Sequence, residues 1–402
     1  LCRLCRPPRD LILRKRSKKL PTPGPDLFVS PFCQMSGLPR VYRALQLSVP
    51  GPVSHFQLRH DVPLRPPAPH QVVVRVAACG IAFRDIVDRR GGFKFISRPA
   101  ILGHEFAGTV VSCGDQVTKY RVGDRVLSLH WDQSEMWPSP LPTAKGTSPA
   151  QSFFGLTTPG GYGEFVTCGQ GAFVRCPKGW SSVEACSVVS TYGTMHMAGV
   201  VRAGIKAGES VLVTGAGGGL GTASIHLFLA LGCRVTAATS TPSKAAWLRS
   251  RFPQLRNVVL FDASPERSGR LVSVDDPTQP YNEQHDAVLE CVGGPTFATS
   301  LRHAKGGGRV VLVGNVGDNA TPPLPLGMLI LNSISVIGSD SIAAAEFDDN
   351  LAPFMEKHGL RAAVDRVVEL EDVPKIHEEL ESKRTTGRVV AKLTRKGDAF
   401  DW

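Results

Sequence analysis

An α/β fold in two parts is what this 402-residue sequence predicts: a β-rich domain followed by a doubly wound parallel sheet, with a basic, disordered extension in front. Three observations predict it. Residues 40 to 180 carry short alternating runs, such as Val72-Val73-Val74-Arg75-Val76 and Asp124-Arg125-Val126-Leu127, broken by Gly and Pro and almost without helical periodicity. From Val211 onward, apolar runs of strand length alternate with helix-length segments, as in a parallel sheet with crossover helices. Positive charge, finally, is concentrated at the front of the chain.

That charge is +11 in all, from 46 Lys+Arg against 35 Asp+Glu. More than half of it comes from Arg3, Arg6, Arg9, Arg14, Lys15, Arg16, Lys18 and Lys19, opposed up to residue 34 only by Asp10 and Asp26. The same segment is rich in Pro and has no long apolar period, so it reads as disordered over residues 1–36. The first Met is Met35. The leader is read as an extension of the gene or a targeting segment, with a run at residues 14–19 that resembles a nuclear-import signal. A nucleic-acid partner is not expected, because the remaining charge is close to balanced. The 10 Cys have no paired spacing beyond Cys2 and Cys5, which fits reduced thiols in a cytoplasmic compartment. No uninterrupted apolar stretch reaches the length of a membrane span.

Within the β-rich part, residues 129–160 hold Trp131, Trp137 and several prolines without a convincing strand, and read as a long surface loop. The strand at residues 211–214 then leads into Gly215-Ala216-Gly217-Gly218-Gly219-Leu220-Gly221 and a helix-spaced run to Leu231. Strand, Gly-rich turn and helix form the dinucleotide fingerprint, with Ala216, Gly218 and Gly221 at its three positions. The helix N-terminus offers its free N–H groups to a pyrophosphate. The next strand, 234–238, ends in Thr239, Ser240, Thr241 and Lys244, where an enzyme specific for the non-phosphorylated cofactor would carry a carboxylate on the ribose 2′-hydroxyl. Hydroxyls and an ammonium suit a 2′-phosphate, so the expected cofactor is NADPH. Further strands are predicted at 258–260, 287–289, 309–313 and 335–337, six in all, with Gly314 and Asn315 closing the fifth over the cofactor. The chain ends with a helix at 347–358, a strand at 364–368, a helix at 373–383 and a strand at 388–393.

The succession Leu102-Gly103-His104-Glu105-Phe106, Val122-Gly123-Asp124-Arg125-Val126, Gly160-Gly161-Tyr162-Gly163-Glu164, the Rossmann fingerprint and Thr386-Gly387-Arg388-Val389-Val390 resembles the medium-chain dehydrogenase/reductase superfamily. Within it, Asp286 to Gly294, Gly307-Gly308-Arg309 and Pro325-Leu326-Gly327-Met328 are similar to the quinone oxidoreductase and enoyl reductase branch. The resemblance implies a GroES-like substrate domain over 37–178, a Rossmann domain over 179–338 and a C-terminal part, 339–396, completing the first. It also implies a homodimer.

Zinc-dependent members of that superfamily place cysteines where this chain has Ala82 and either Ser190 or Thr191, beside His104 and Glu105. A catalytic zinc needs about three protein ligands. Cys79 and Cys186 are off register, and no cysteine of a structural-zinc lobe lies between Val126 and Tyr162. No metal is therefore expected. The expected reaction is hydride delivery from NADPH to a conjugated carbonyl, a quinone, enone, enal or enoyl thioester, whose conjugation spreads the developing charge. Arg84, Tyr192 and His104 are the expected catalytic residues, with Tyr162 and His196 as further donors, and Arg84 and Asp85 alternatively form an ion pair beneath the cleft. The competing readings are a zinc-dependent alcohol dehydrogenase and a catalytically silent nucleotide- or RNA-binding relative.

Overall fold

The strand patterning of the first domain is realised in a computed structural model, which describes residues 37–92, 98–133, 152–262, 269–315, 321–394 and 397–402. The basic extension lies outside the described residues, as does most of the long 129–160 loop, Trp137 included. Three strands form a small antiparallel sheet in the order β2-β1-β4: β1 (Val41–Leu47), β2 (Phe56–Pro63) and β4 (Ala100–Ile101). The central strand of the larger sheet is β3 (Gln71–Ile81), whose long run of Val and Ala is buried on both faces. It pairs antiparallel with β5 (Phe106–Cys113) and β7 (Phe165–Gly169). β6 (Arg125–Ser128) and β8 (Phe173–Arg175) extend the β5 side.

The end of the chain returns to this sheet. Of the later strands, β16 (Val364–Glu369) runs parallel to β17 (Arg388–Lys392), and β17 lies antiparallel on β3, with Val390 opposite Gly80. The helix Val373–Glu381 has a strongly one-sided pattern that buries Val373, Ile376 and His377. One core runs beneath this half, around Val72, Val74, Phe106, Phe154, Tyr162 and Ile376.

The other half is a seven-stranded sheet. Its chain order is β9 (Ser210–Val213), β10 (Arg234–Thr239), β11 (Asn257–Phe261), β12 (Leu271–Ser273), β13 (His285–Glu290), β14 (Ala304–Leu312) and β15 (Ser335–Gly338), and its spatial order is β12-β11-β10-β9-β13-β14-β15. Six strands are parallel, the six that periodicity predicts. The seventh, β12, is a three-residue antiparallel edge, too short to carry a period. Chain order reverses between β9 and β13, which opens a crevice at the carboxyl ends of these strands, where doubly wound sheets bind ligands.

Two contacts join the halves beside that crevice. Gly387 N donates to Gly217 O at 2.9 Å, and Gly218 and Gly387 form an isolated bridge. The segment 182–202 also links them, as a helix with wide π-type turns over Val189–Gly193 and His196–Arg202. Among the described residues no helix is long and apolar enough to cross a membrane.

Candidate active site at the carboxyl ends of the strands

Local backbone chemistry shapes the Gly-rich turn. Gly215 has φ +59°, a left-handed conformation that disfavours a side chain. A Cβ on Gly221 would lie 2.4 Å from Gly215 O, so the helix Gly219–Ala230 packs against the turn only with glycine there. Gly218 caps this helix without a side chain, leaving its first N–H groups open to an anion. Ala216 is buried, and its N–H is tied to Ala238 O.

Beyond β10, Thr239 is buried while Ser240 is exposed. Thr241 caps the helix Pro242–Arg251 through Lys244 N, and the Lys244 side chain lies against Gly217, where an added Cβ would sit 3.2 Å from its Cδ. Burial and the nearby Lys383 both push the Lys244 ammonium below its ordinary value. Gly314 crosses Cys291 closely, and a Cβ on Gly293 would meet Gly314 O and Asn315 Cα. The turns after β9, β13 and β14 therefore converge on one crevice, and a dinucleotide fits its donors, its close backbone approaches and its cation.

Across the crevice a polar cluster is built on the β-rich half. Asp85 opens the helix Phe83–Arg89, and its carboxylate accepts from Ala82 N at 2.9 Å. The same group meets His104 Nδ1 at 3.1 Å and accepts from the Tyr162 hydroxyl at 3.1 Å, which in turn lies 3.2 Å from His377 Nε2. All four side chains are buried. Burial pushes Asp85 up, but His104, His377 and the Ala82 N–H more than offset this and hold it below the usual carboxylate range. Burial pushes His104 down, against the pull of Asp85. His104 is thus a neutral imidazole with its proton on Nδ1, facing an ionised carboxylate. Gly103, at φ +91°, places this histidine where a Cβ would strike Tyr162 and Cys79.

Glu105 is held differently. Arg388 approaches both its oxygens at 3.0 Å, and the Ser190 hydroxyl donates to it. Burial pushes the Glu105 carboxyl up, against the pull of Arg388, which keeps the pair ionic. Arg388 also lies against the Gly-rich loop, since a Cβ on Gly219 would fall 2.7 Å from its guanidinium carbon. One side chain thereby spans from the polar cluster to the cofactor turn.

Several sequence expectations change place. Arg84 does not pair with Asp85; its Nε lies 3.4 Å from Asp88 Oδ2, one helical turn on, because Asp85 is turned back to cap its own helix. The Tyr192 hydroxyl donates to Arg361 O at 2.7 Å and meets His226 Nδ1 at 2.6 Å, so a buried network of the Rossmann half already uses it. His196 is likewise taken up by Glu346 at 2.7 Å. His104 does join the cluster, with Tyr162 beside it. One residue that sequence reasoning missed also lies here: His130 packs edge-on against His104, ring centroids 5.2 Å apart.

The donor set does not fit a catalytic zinc. Ala82 offers no ligand, Ser190 and Thr191 are spent on Glu105 and Ser187 O, and Arg388 occupies Glu105. Cys79 and Cys186 are buried free thiols, both pushed up by burial, whose Sγ atoms face Gly80 O and Val183 O. Among the described residues no three His, Cys, Asp or Glu side chains are grouped to hold a metal ion.

Two protein families match the chain. The alcohol dehydrogenase GroES-like domain family matches residues 68–178, and the zinc-binding dehydrogenase family matches 219–357. A solved structure described as AibC is 31% identical, superposes with a TM-score of 0.72, and covers 88% of this chain and 96% of its own. The chain belongs to the medium-chain dehydrogenase/reductase superfamily. Within that superfamily it is 28% identical to an acryloyl-coenzyme A reductase of Sulfurisphaera tokodaii, over 86% of this chain and 98% of the relative. It is 27% identical to a quinone oxidoreductase of Lama guanicoe, over 88% and 98%. As a medium-chain oxidoreductase it uses a nicotinamide cofactor, which the crevice beside Gly215–Gly221 is shaped to hold.

Proposed function

We propose that this oxidoreductase uses NADPH to reduce the carbon–carbon double bond of a conjugated carbonyl compound without zinc, with an enoyl thioester as the first substrate class to try. The observation that carries this reading is the pairing of an intact dinucleotide turn with a polar cluster whose metal-ligand positions are taken by Ala82 and by the Glu105–Arg388 ion pair. The acryloyl-coenzyme A reductases and quinone oxidoreductase among its relatives support the substrate class. Gly215, Ala216, Gly218, Gly219, Leu220 and Gly221 cradle the pyrophosphate in this reading, with Gly314 and Asn315 bordering the nicotinamide. Thr239, Ser240 and Lys244 bind the 2′-phosphate.

When bound, the cofactor supplies a hydride to the β-carbon. The chain's own residues handle the rest. Asp85 fixes the tautomer and orientation of His104, and Tyr162 and His377 hold Asp85 in turn. Arg84, with its charge partly offset by Asp88, contributes positive potential to the side of the cleft where the enolate charge collects. Tyr192 is left out of the chemistry because its hydroxyl has two partners already.

A homodimer also belongs to this reading. The edge strand β15 is flanked by the helix Leu326–Asn332, which buries none of its residues and exposes Leu326, Ile330 and Leu331. An open edge beside apolar side chains suits pairing with a second copy.

The test is NADPH oxidation by purified protein against enoyl thioesters, enals and quinones, with metal content measured alongside. Turnover of at least one class at less than one-tenth metal per chain is expected. Absence of turnover across the panel, or activity that requires a stoichiometric metal, sinks the proposal. Lys244→Ala is expected to weaken NADPH binding by about tenfold or more and leave NADH binding nearly unchanged. Equal losses for both cofactors would remove Lys244 from the 2′-phosphate site.

A further inference from the structure

We propose that His130 donates a hydrogen bond to the carbonyl oxygen of the bound substrate, a further catalytic residue in the site that Asp85 and His104 organise; this rests on the reductase reading above. His130 lies two residues past the end of β6, and the sequence around it carries no motif. Its Nε2 is buried and has no hydrogen-bond partner among the described residues. Leaving such a group unsatisfied costs about 1–3 kcal/mol, a penalty that a ligand oxygen would remove.

The ring is also held in place. Its backbone carbonyl accepts from Phe154 N at 3.3 Å, Leu129 N before it donates to Ala172 O, and Trp131 after it bridges to Phe153. The imidazole packs at 62° against His104 and lies near the Trp131 ring, centroids 6.1 Å apart. Burial, with His104 and Arg84 nearby, favours the neutral ring, which still has one N–H to offer. His104 cannot take this role in the same tautomer, because Asp85 holds its only proton at Nδ1.

The step balances without further reagents. The substrate gains a hydride at its β-carbon while NADPH becomes NADP+. The alkene electron pair moves into the bond between the α-carbon and the carbonyl carbon, and the carbonyl pair moves onto oxygen. The resulting enolate oxygen accepts the His130 N–H, which is shared and not transferred. A solvent proton then bonds to the α-carbon as the carbonyl re-forms. A fixed neutral donor is well suited to this task, since it stabilises the oxyanion more than the ground-state carbonyl.

The experiment uses His130→Phe and His130→Gln in the full chain, with 4-nitrophenolate as an enolate-like probe read by its absorbance in NADP+-saturated protein. The Phe variant keeps the ring's bulk and is expected to weaken phenolate binding about tenfold or more. It should also lower kcat with the best thioester by about a hundredfold. The Gln variant, which keeps an N–H donor, is expected to stay within about threefold of the wild type in binding. Both should keep the wild-type NADPH affinity, and the Phe variant, relieved of the unsatisfied nitrogen, should melt no lower than the wild type. Undiminished phenolate binding by His130→Phe overturns the proposal, as does a wild-type protein that binds no phenolate. Binding that disappears with a chelator and returns with zinc overturns it too. If the wild type turns over no substrate but loses phenolate binding only in the Phe variant, the reductase reading has failed and the donor role of His130 stands.

Discussion

Two buried carboxylates, one in each half, are satisfied in opposite ways. Glu290, at the carboxyl end of β13, accepts from the Thr214 hydroxyl at 2.9 Å, from Val292 and Gly293 N–H at 2.8 and 2.9 Å, from the Thr296 hydroxyl at 2.7 Å, and from the Ser300 hydroxyl. No cation takes part in that set. On the β-rich side, among the described residues, Glu105 leans on Arg388 with its Oε1 lacking a well-directed hydrogen bond, neither oxygen of Asp88 has a well-directed one, and His130 Nε2 has no partner. The Rossmann half uses its carboxylate to lock a loop over the cofactor crevice. Around Glu105 and His130 polar capacity is kept in reserve, and such reserve beside a cleft is a mark of a site that meets ligands.

The largest effect should come from breaking the saturated side. Glu290→Ala strands five donors in a dry core, each worth about 1–3 kcal/mol, so soluble yield should collapse or the melting temperature fall by more than about 10 °C. Glu290→Gln, which keeps one acceptor oxygen, should recover part of that loss. A Glu290→Ala protein as stable as the wild type would erase the contrast between the two halves. On the open side the expected loss is in rate. Asp85→Asn removes the charge that orients His104, and kcat should fall about ten- to a hundredfold while NADPH affinity stays put. A change confined to cofactor affinity would mean that the cluster serves the Rossmann half instead.

A pH series separates the halves more finely. Burial holds His377, at the end of the Asp85 chain, down to about 4. Its ordinary value is 6.5, so the unfolded chain binds the extra proton first as pH falls. Stability from this group is complete above pH 6.5 and lost progressively towards pH 4, by roughly 3 kcal/mol as an upper figure. Thermal melts at pH 7, 5.5 and 4.5 on wild type and His377→Phe should converge as pH falls. Parallel curves would show that His377 takes no proton on unfolding.

The sequence made one half of this comparison far more legible than the other. The dinucleotide turn is local: Gly215, Gly218, Gly221 and the following helix are contiguous, and the conformations they require exclude most other residues. The six parallel strands announce themselves by length and by the turns after them. The polar cluster is assembled from residues 85, 104, 130, 162 and 377 on five separate segments, of which only those of Asp85, His104 and Tyr162 carry a sequence signal. Tyr192 lies in the wide turn Val189–Gly193, and its hydroxyl meets His226 and Arg361 O, partners more than thirty residues away that no local motif announces. Glu290 carries no local signal, because its partners lie far from it in sequence, Thr214 just after β9, or along the following helix Gly294–Arg302, where Thr296 and Ser300 sit one turn apart.

The smallest expected effect tests whether the reserve on the β-rich side destabilises the fold. Asp88 lies behind Asp85 on the same helix, with Arg84 Nε 3.4 Å away as its cation. Burial lifts its carboxyl from an ordinary 3.8 to about 7, against the pull of Arg84 and with the push of Asp85. A carboxyl raised in the folded state contributes stability that is complete below about 3.8 and is lost as pH rises through about 7. Asp88→Asn has nearly the same shape and no proton to lose, so its advantage over the wild type should grow as pH rises. Most of the growth should fall below pH 7, about 1.6 kcal/mol between pH 5.5 and 7 and only about 0.4 kcal/mol more by pH 8, less whatever Arg84 forfeits with the charge. Melting temperatures of the two proteins at pH 5.5, 7 and 8 decide it. A difference that widens with pH places the strain on this carboxyl, whereas a constant or shrinking one means that Arg84 already compensates Asp88 and the reserve is confined to Glu105 and His130.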